Sequence, residues 1–300
     1  MTSEDEFSRY RRMLSVPAAD ALADISRDQA DDDSILIAVP AARLLLGDLP
    51  ALHPALAQGL KILAELGART QSDDPCRFTD PAGHHRLVYT PFVLHLHLAA
   101  FAKCYEQLPP PLWAVCEDAL PRAVELARPA GHGAGARTRD DDLAPELWQA
   151  LCLAQFARLT SRDVELELAD AIVHDALTQP PAVIADAPHP LRLHHRDESI
   201  ETWTYRELTS LHALANLALL RRNRQWSVRV SRVARYHLEH TQPDHATTEP
   251  WGVFAFLWSP ETRPFAQQQL HDAAARHRGR LSPLPAMLLA DAAHALSQFD

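Results

Sequence analysis

From Pro91 onward the sequence alternates between strongly apolar stretches and more charged, amphipathic ones, each about one helix long. Four of the five apolar stretches have a proline at or near the predicted first turn, where its missing N–H costs nothing. The apolar stretches cover about residues 91–107, 145–159, 205–222, 250–258 and 283–298. An apolar helix has to be buried, whereas an amphipathic helix keeps one side in water. The pattern therefore predicts repeated hairpins of one inner and one outer helix.

The amino-acid composition favours helix over sheet. The chain of 300 residues contains only nine glycines and is rich in alanine and leucine. Glycine costs a helix interior about 1 kcal/mol relative to alanine, whereas alanine and leucine lose little conformational entropy there. We therefore predict an all-α fold, either an α/α toroid or a repeat of helical hairpins. Turn residues allow at most one small β-hairpin near residues 77–90.

The N-terminal region differs from the repeated hairpins. Its pattern predicts two short helices interrupted near Pro17, followed by a hydrophilic break at Asp31, Asp32 and Asp33. Residues 1–35 are thus expected to form a helical extension, and residues 36–300 a single toroid-like domain. An apolar content of 47% is sufficient for a sizeable core in a chain of this length.

The charge balance argues against a nucleic-acid partner. The formal net charge is −10, from 39 acidic and 29 basic residues, whereas nucleic-acid binding needs a surface that neutralises phosphates. One basic stripe is predicted to be the solvated face of a helix pair. Its members are Arg221, Arg222, Arg224, Arg229, Arg232 and Arg235.

Cysteine spacing and hydropathy indicate a cytoplasmic protein without a membrane partner. The four cysteines form no C-x-x-C motif and are expected to be reduced, buried thiols. The N-terminus lacks the apolar core of a secretory signal. No run of the sequence approaches the ~20 apolar residues that a membrane span requires.

A polar loop before the fourth apolar stretch is unusually dense in groups able to do chemistry. Histidine titrates near neutral pH, and a nearby carboxylate can fix its tautomer and raise its basicity. Asp244 and His245 are therefore the candidate acid–base pair, with Tyr205 as a proton donor. Adjacent side chains in a loop diverge, so Glu249, Glu207 and Tyr205 are equally good partners for His245.

The start of the third apolar stretch supplies a candidate wall for a ligand site. Trp203, Tyr205 and Arg206 combine aromatic and cationic groups that, together with Trp148 and Trp251, suit a sugar ring or an apolar ligand. His212 lies seven residues after Tyr205 on the same helical face, and it is either directed into the cavity or a core histidine satisfied by a carbonyl. The predicted ligand-binding residues are Trp203, Arg206, Glu207, His212, Glu249 and Trp251.

Helix capping offers a structural explanation for several of these residues. Thr204 and Glu207 fit the N-cap and third position of a capping box. Asp244 can cap a turn, and Thr247 or Thr248 can cap the next helix. For the polar loop, capping and catalysis remain competing interpretations.

The 17 histidines invite a metal hypothesis. His237 and His240 have the i, i+3 spacing of a shared metal, but surface or hydrogen-bonded histidines explain them more simply. His95 and His97, two residues apart, should point to different sides of a helix. We assign no metal site and name no cofactor. The motifs of nucleotide hydrolysis, dinucleotide redox chemistry, serine hydrolysis and zincin proteolysis are absent from the sequence.

The alternation of buried and outer helices resembles the α/α toroids of terpenoid cyclases, protein prenyltransferase subunits and several polysaccharide lyases and glycan hydrolases. The resemblance covers roughly residues 39–298, and PWGVFAFL at residues 250–257 is similar to the opening of an inner toroid helix. The aspartate-rich motifs of the cyclases are missing, since Asp140, Asp141 and Asp142 are followed by leucine and alanine. No family catalytic residue can therefore be transferred to this chain.

The sequence supports functions of different classes. In the first, loops at the starts of the inner helices form a pocket for a small polar or carbohydrate-like ligand, and Asp244, His245 and Tyr205 transfer protons to or from it. In the second, a concave helical face holds a protein partner without catalysis. A third is an isoprenoid or lipid binder that keeps the toroid but lacks the cyclase aspartates.

Overall fold

The all-α prediction is confirmed by the computed structural model, in which helices carry nearly all of the regular structure described. The structure describes residues 3–28, 33–47, 54–69, 78–79, 85–86, 90–128, 145–178, 188–192, 194, 198–241, 250–276, 281 and 283–298.

The helices within these ranges are α1 Ser3–Asp28, α2 Asp33–Leu46, α3 Ala55–Arg69, α4 Thr90–Cys104, α5 Pro110–Val124, α6 Pro145–Thr160, α7 Asp163–Thr178, α8 Ile200–Leu220, α9 Arg224–His240, α10 Val253–Phe256, α11 Arg263–Arg276 and α12 Pro283–Leu296. Short 3-10 turns follow α4 and α5. Two short strands, β1 Phe78–Thr79 and β2 His85–Arg86, pair antiparallel with Phe78 opposite Arg86. This pair lies where the sequence allowed one small hairpin.

Alternate helices are neighbours in space. Helix α2 packs on α4, α4 on α6, α6 on α8 and α8 on α10. The last helix, α12, packs against both α1 and α2, so the two ends of the described chain meet. The intervening helices lie beside them, with α3 against α2, α7 against α6, α9 against α8 and α11 against α10. Three of the apolar stretches, α4, α6 and α8, thus lie between two helices of the same alternating set.

The apolar and the amphipathic helices differ in how much of their surface is buried. Nearly the whole middle of α8 is buried, whereas α9 buries only one stripe, formed by Val230, Val233, Ala234 and His237. This spacing of three and four residues is expected of a helix with one wet side. The side chain of Asn223 accepts N–H bonds at the start of α9 and so fixes where that helix begins.

Helix α1 differs from the prediction, because it runs without interruption through Pro17. Proline removes one helical hydrogen bond and normally kinks or ends a helix. Leu14, Ala18 and Leu22 on both sides of it are fully buried, so tertiary packing holds the two halves together. The predicted N-terminal extension also packs directly against α12.

Helix α8 also differs, because it begins at Ile200 rather than near Tyr205. Ser199 is the N-cap, and its hydroxyl accepts the backbone N–H of Thr202. The predicted capping box of Thr204 and Glu207 is therefore wrong, since both residues lie inside the helix. Among the described helices, none combines the length and apolar character needed to cross a bilayer.

Candidate functional site

Two faces of α8 carry different groups of predicted site residues. Successive residues on an α-helix are rotated by about 100°, so Trp203 and Tyr205 point in directions about 160° apart. Tyr205 and His212, seven residues apart, share a face, and both contact the ring of Trp251. Trp203 instead faces α9 with Glu207. The structure therefore does not bring Trp203 and Tyr205 to one wall.

An aromatic cluster lies where the first turns of several helices meet. Phe92 of α4 and Trp148 of α6 contact each other edge to face, with ring centroids 5.3 Å apart. Trp251, which precedes α10, contacts both rings at 5.6 and 5.9 Å. Tyr205 of α8 reaches Trp251 at 6.3 Å and is half-buried, whereas the other three rings are fully buried. Tyr205 is thus the partly accessible member of this cluster.

A buried carboxylate, Asp291 of α12, lies among two histidines from other helices. The Nε2 atom of His95 is 2.7 Å from Asp291 Oδ1, and the Nε2 atom of His212 is 2.8 Å from Oδ2. The amide of Asn216 also donates to Oδ2, at 3.2 Å. We call His95, His212 and Asp291 the central triad; all three are at most 1% exposed.

The remaining ring nitrogens of the central triad also contact oxygen atoms. Nδ1 of His95 is 3.0 Å from Oε1 of Gln155, and Nδ1 of His212 is 3.2 Å from the carbonyl oxygen of Trp251. The carbonyl contact matches the interpretation of His212 as a core histidine. Burial alone would raise the pKa of Asp291, but the charges and hydrogen bonds of the two histidines outweigh it and hold that pKa well below its usual range.

A second buried carboxylate, Glu207, lies on the opposite face of α8. It accepts the backbone N–H groups of Leu191 and Arg192 at 2.6 and 2.8 Å. Its Oε2 is also 3.3 Å from Nε2 of His237, whose Nδ1 is 3.0 Å from the hydroxyl of Thr241. Glu207 thereby ties the segment 188–192 to the α8–α9 hairpin.

Further contacts hold the segment 188–192 in place. Arg229 donates to Nε2 of His189 at 2.5 Å and to the carbonyl of Pro190 at 3.3 Å. Burial, followed by the charge of Arg229, lowers the pKa of His189. Trp203 packs against this side of the molecule, with its ring 5.7 Å from that of His237. The hydrogen bonds of Glu207 and the ring packing of Trp203 therefore give both residues a structural role, although the indole N–H of Trp203 has no acceptor among the described residues.

Charged pairs lie close to the start of α8. Arg206 donates to Glu198 at 3.0 Å, and Arg192 donates to Glu146 at 3.2 Å. All four side chains are half-buried, so they retain access to solvent. Arg206, a predicted ligand-binding residue, thus has an acidic partner and lies next to Tyr205 in the chain.

Three predicted residues, Asp244, His245 and Glu249, lie outside the described residues. Of the histidines considered for a metal, His237 has both ring nitrogens in contact with protein partners, and His240 is exposed. Within the described residues, no group of three or more histidine, cysteine, aspartate or glutamate side chains is arranged to hold a metal ion.

Sequence reasoning did not identify His95, Asp291 and Asn216 as site residues. The signal that could have found the first two is a polar residue within an otherwise strongly apolar helix, which has to be paired when buried. The expectation that His95 and His97 diverge is confirmed, because His97 bonds to the carbonyl of Val93 instead. Burial lowers the pKa of His97 to about 4.

The buried cysteines match the expectation of unpaired thiols. Cys104, Cys116 and Cys152 are free and buried. Burial raises the pKa of Cys104 to about 11 and that of Cys116 to about 12. Such thiols are poor nucleophiles at neutral pH. Cys76 lies outside the described residues.

Comparison with protein-family models, with curated proteins and with solved structures finds no match to this chain. Its function therefore has to be argued from its own geometry.

Proposed function

We propose that the protein is a closed α/α ring that binds a small polar or carbohydrate-like ligand at the end where its inner helices begin. A ring is supported by the order of contacts, in which α2, α4, α6, α8 and α10 follow one another and α12 meets α2; closure requires in addition that α10 meets α12. In such a ring α4, α8 and α12 are alternate inner helices. His95, His212 and Asp291, which come from these three helices, meet as expected of groups that point to the ring centre.

The observation that carries the proposal is the convergence of Phe92, Trp148, Tyr205 and Trp251 from four helix starts. Aromatic rings with polar groups at their margin are suited to sugar rings, because C–H faces pack on the rings while hydroxyls meet charged side chains. Tyr205 and Arg206 are half-buried, so they provide an accessible ring and an accessible charged group at the margin of the cluster.

Two donors favour a ligand that carries hydrogen-bond acceptors. The buried indole N–H groups of Trp148 and Trp251 have no acceptor among the described residues. A buried donor without a partner costs free energy, so an acceptor there would be bound favourably. A hydroxyl-rich or carboxylate ligand supplies such acceptors, whereas a purely apolar isoprenoid does not.

Proton transfer is the chemistry that we propose for this site. Asp244 and His245 would act as the acid–base pair and Tyr205 as a proton donor, with Arg206 neutralising an acidic group of the ligand. Replacing His245 with alanine should then abolish turnover of a bound substrate. If His245 acts in catalysis and not in folding, thermal stability should stay within about 1 kcal/mol of wild type.

Ligand binding can be tested by tryptophan fluorescence, since Trp148 and Trp251 belong to the cluster. The protein is titrated with glucose, N-acetylglucosamine, maltose, gluconate and glucuronate. The proposal predicts a saturable change with at least one of them, weakened about tenfold or more in Tyr205→Ala, a loss of roughly 1.4 kcal/mol of binding free energy. The matched control is Tyr105→Ala, because Tyr105 is an exposed tyrosine after the C-terminal end of α4.

The titration also separates this proposal from a protein-binding scaffold. One observation favours the scaffold: Phe92, Trp148 and Trp251 are fully buried and fill the space among the helices that carry them. A scaffold would show no saturable change with any of the five compounds. Equal weakening by Tyr205→Ala and Tyr105→Ala would also contradict the proposed site.

A further inference from the structure

The central triad presents a problem of hydrogen-bond counting. Its two imidazole rings have four nitrogen atoms, and each of them lies within 3.2 Å of an oxygen atom. A neutral imidazole carries one N–H and one lone pair, so it can donate only one hydrogen bond. Each N···O contact requires one hydrogen atom between the two heavy atoms.

For His212 the count leaves little freedom. Its Nδ1 faces the backbone carbonyl oxygen of Trp251, which can only accept, so Nδ1 has to carry a hydrogen. In a neutral ring, Nε2 would then direct a lone pair at a carboxylate oxygen of Asp291, 2.8 Å away. Two acceptors at this distance repel each other. A second hydrogen is needed between His212 and Asp291.

For His95 the count is less restrictive. Its Nδ1 faces the side-chain amide of Gln155, whose oxygen and nitrogen exchange positions when the amide turns over. With the amide nitrogen towards the ring, neutral His95 donates from Nε2 to Asp291 and accepts at Nδ1. The triad therefore requires at least one proton beyond an ionised aspartate and two neutral imidazoles, and that proton lies between His212 and Asp291.

We propose that His212 and Asp291 form a buried imidazolium–carboxylate pair, so that the centre of the protein is a proton-binding site at neutral pH. The proton makes the triad electrically neutral; without it, the structure would bury a net negative charge. This inference goes beyond the proposed function and does not depend on it, because it rests on contacts within the core.

The surroundings favour the proton on the imidazole ring. Trp148 stacks on His212 with ring centroids 5.7 Å apart and an angle of 22°, an arrangement that attracts a cation. Asn216 donates to the oxygen of Asp291 that faces His212, which stabilises the ionised carboxylate. His294, three residues after Asp291 on α12, does not compete for this proton at neutral pH, because burial lowers its pKa to about 4.

A metal cation would balance the same charges in a different way. Histidine ligands usually donate their second ring N–H to a carbonyl oxygen, as His212 does here. However, the described side chains contain no group arranged to hold a metal. The test therefore has to distinguish a proton from a metal.

The experiment is nitrogen NMR of the ring atoms in the full chain labelled with ¹⁵N-histidine, at neutral pH. His212 is assigned by the signal missing from His212→Gln, or by through-bond correlations if that variant does not fold. An imidazolium is expected for His212, with both nitrogens protonated. His97 is the internal control, since it is buried with one ring hydrogen bond and should be neutral.

The variant Asp291→Asn supplies the second arm, because an amide removes the negative charge at nearly constant shape. We expect His212 to become neutral there, with its hydrogen on Nδ1. A neutral His212 in the wild-type protein would overturn the proposal. So would stoichiometric metal in the untagged protein, whether or not the asparagine variant folds.

Discussion

Asp291 and Glu207 are buried carboxylates on opposite sides of α8, yet their partners differ in kind. Glu207 accepts two backbone N–H groups from the segment 188–192, with a histidine as third partner. Asp291 accepts mainly from the side chains of His95 and His212 on two other helices. One carboxylate fixes a segment close by in sequence, whereas the other links helices that are far apart in the chain.

The difference shows two ways in which a protein can bury negative charge. Backbone amides are neutral donors that no change of pH removes, so Glu207 is satisfied without an added charge. Histidine donors bring a charge only when protonated. The central triad therefore depends on side chains from three helices, and its loss should reach α4, α8 and α12 together.

The largest expected effect comes from removing the Asp291 carboxylate. Asp291→Ala leaves a buried histidine proton without a counter-charge and should destabilise the protein by roughly 3–5 kcal/mol. Urea unfolding monitored by circular dichroism measures this loss. Asp291→Asn is the matched control and should lose less, because its amide still fills the space and bonds to the rings. Equal losses would show that charge is unimportant at this position.

The next effect is a loss of stability in acid caused by His97. This histidine is fully buried without a carboxylate partner among the described residues, and burial lowers its pKa from 6.5 to about 4. The unfolded chain therefore binds a proton at a higher pH than the folded one. Stability is complete above pH 6.5 and falls as the pH approaches 4, by up to about 3 kcal/mol at 1.36 kcal/mol per pKa unit.

The comparison of His97 with His212 is sharpened by a variant that cannot titrate. His97→Leu should make the dependence of unfolding free energy on pH shallower between about 6.5 and 4, whatever its effect at neutral pH. His294, whose pKa burial also lowers to about 4, should supply part of the dependence that remains. His240→Leu is the control, because His240 is exposed and a substitution there should leave the dependence unchanged. An unaltered profile in His97→Leu would assign the acid sensitivity to other groups.

The sequence predicted the helices better than the site. Periodicity and proline positions located the alternating helices, because these signals are local. The start of α8 was misplaced since Ser199 caps the helix ahead of the predicted start. With Thr204 as the predicted cap, Trp203 preceded the helix and was assigned to the same ligand wall as Tyr205. The prediction that Tyr205 and His212 share one face of the helix was correct, because seven residues make two turns of an α-helix.

The central triad could not be predicted from local sequence patterns. His95 and Asp291 are separated by 196 positions in the chain, and only the packing of α12 against the other helices brings them together. Two polar residues in apolar stretches indicate that each needs a partner, but not which one. The proposed pair Asp244 and His245 lies outside the described residues, so it stays a prediction.

A moderate effect is expected from Glu207→Gln. Glutamine offers one oxygen to the two N–H groups of Leu191 and Arg192, and its NH₂ group faces the other. One buried donor left unpaired costs about 1–3 kcal/mol. Hydrogen exchange should accelerate at the amides of Leu191 and Arg192, with little change in α12. Faster exchange throughout α12 would contradict the independence of the two carboxylates.

The smallest effect on stability is expected from Tyr205→Phe. The variant keeps the ring that packs on Trp251 and removes one hydroxyl from a half-buried side chain, so the unfolding free energy should change by less than about 1 kcal/mol. His212 lies on the same face of α8, about two turns further along the helix. His212→Phe removes a hydrogen bond to Asp291, so the unfolding free energy should fall several times more than in Tyr205→Phe. Thermal unfolding of both variants side by side measures the contrast. If Tyr205→Phe were as damaging as His212→Phe, the tyrosine hydroxyl would belong to the buried polar core, and Tyr205 could not serve as the accessible edge of a ligand site.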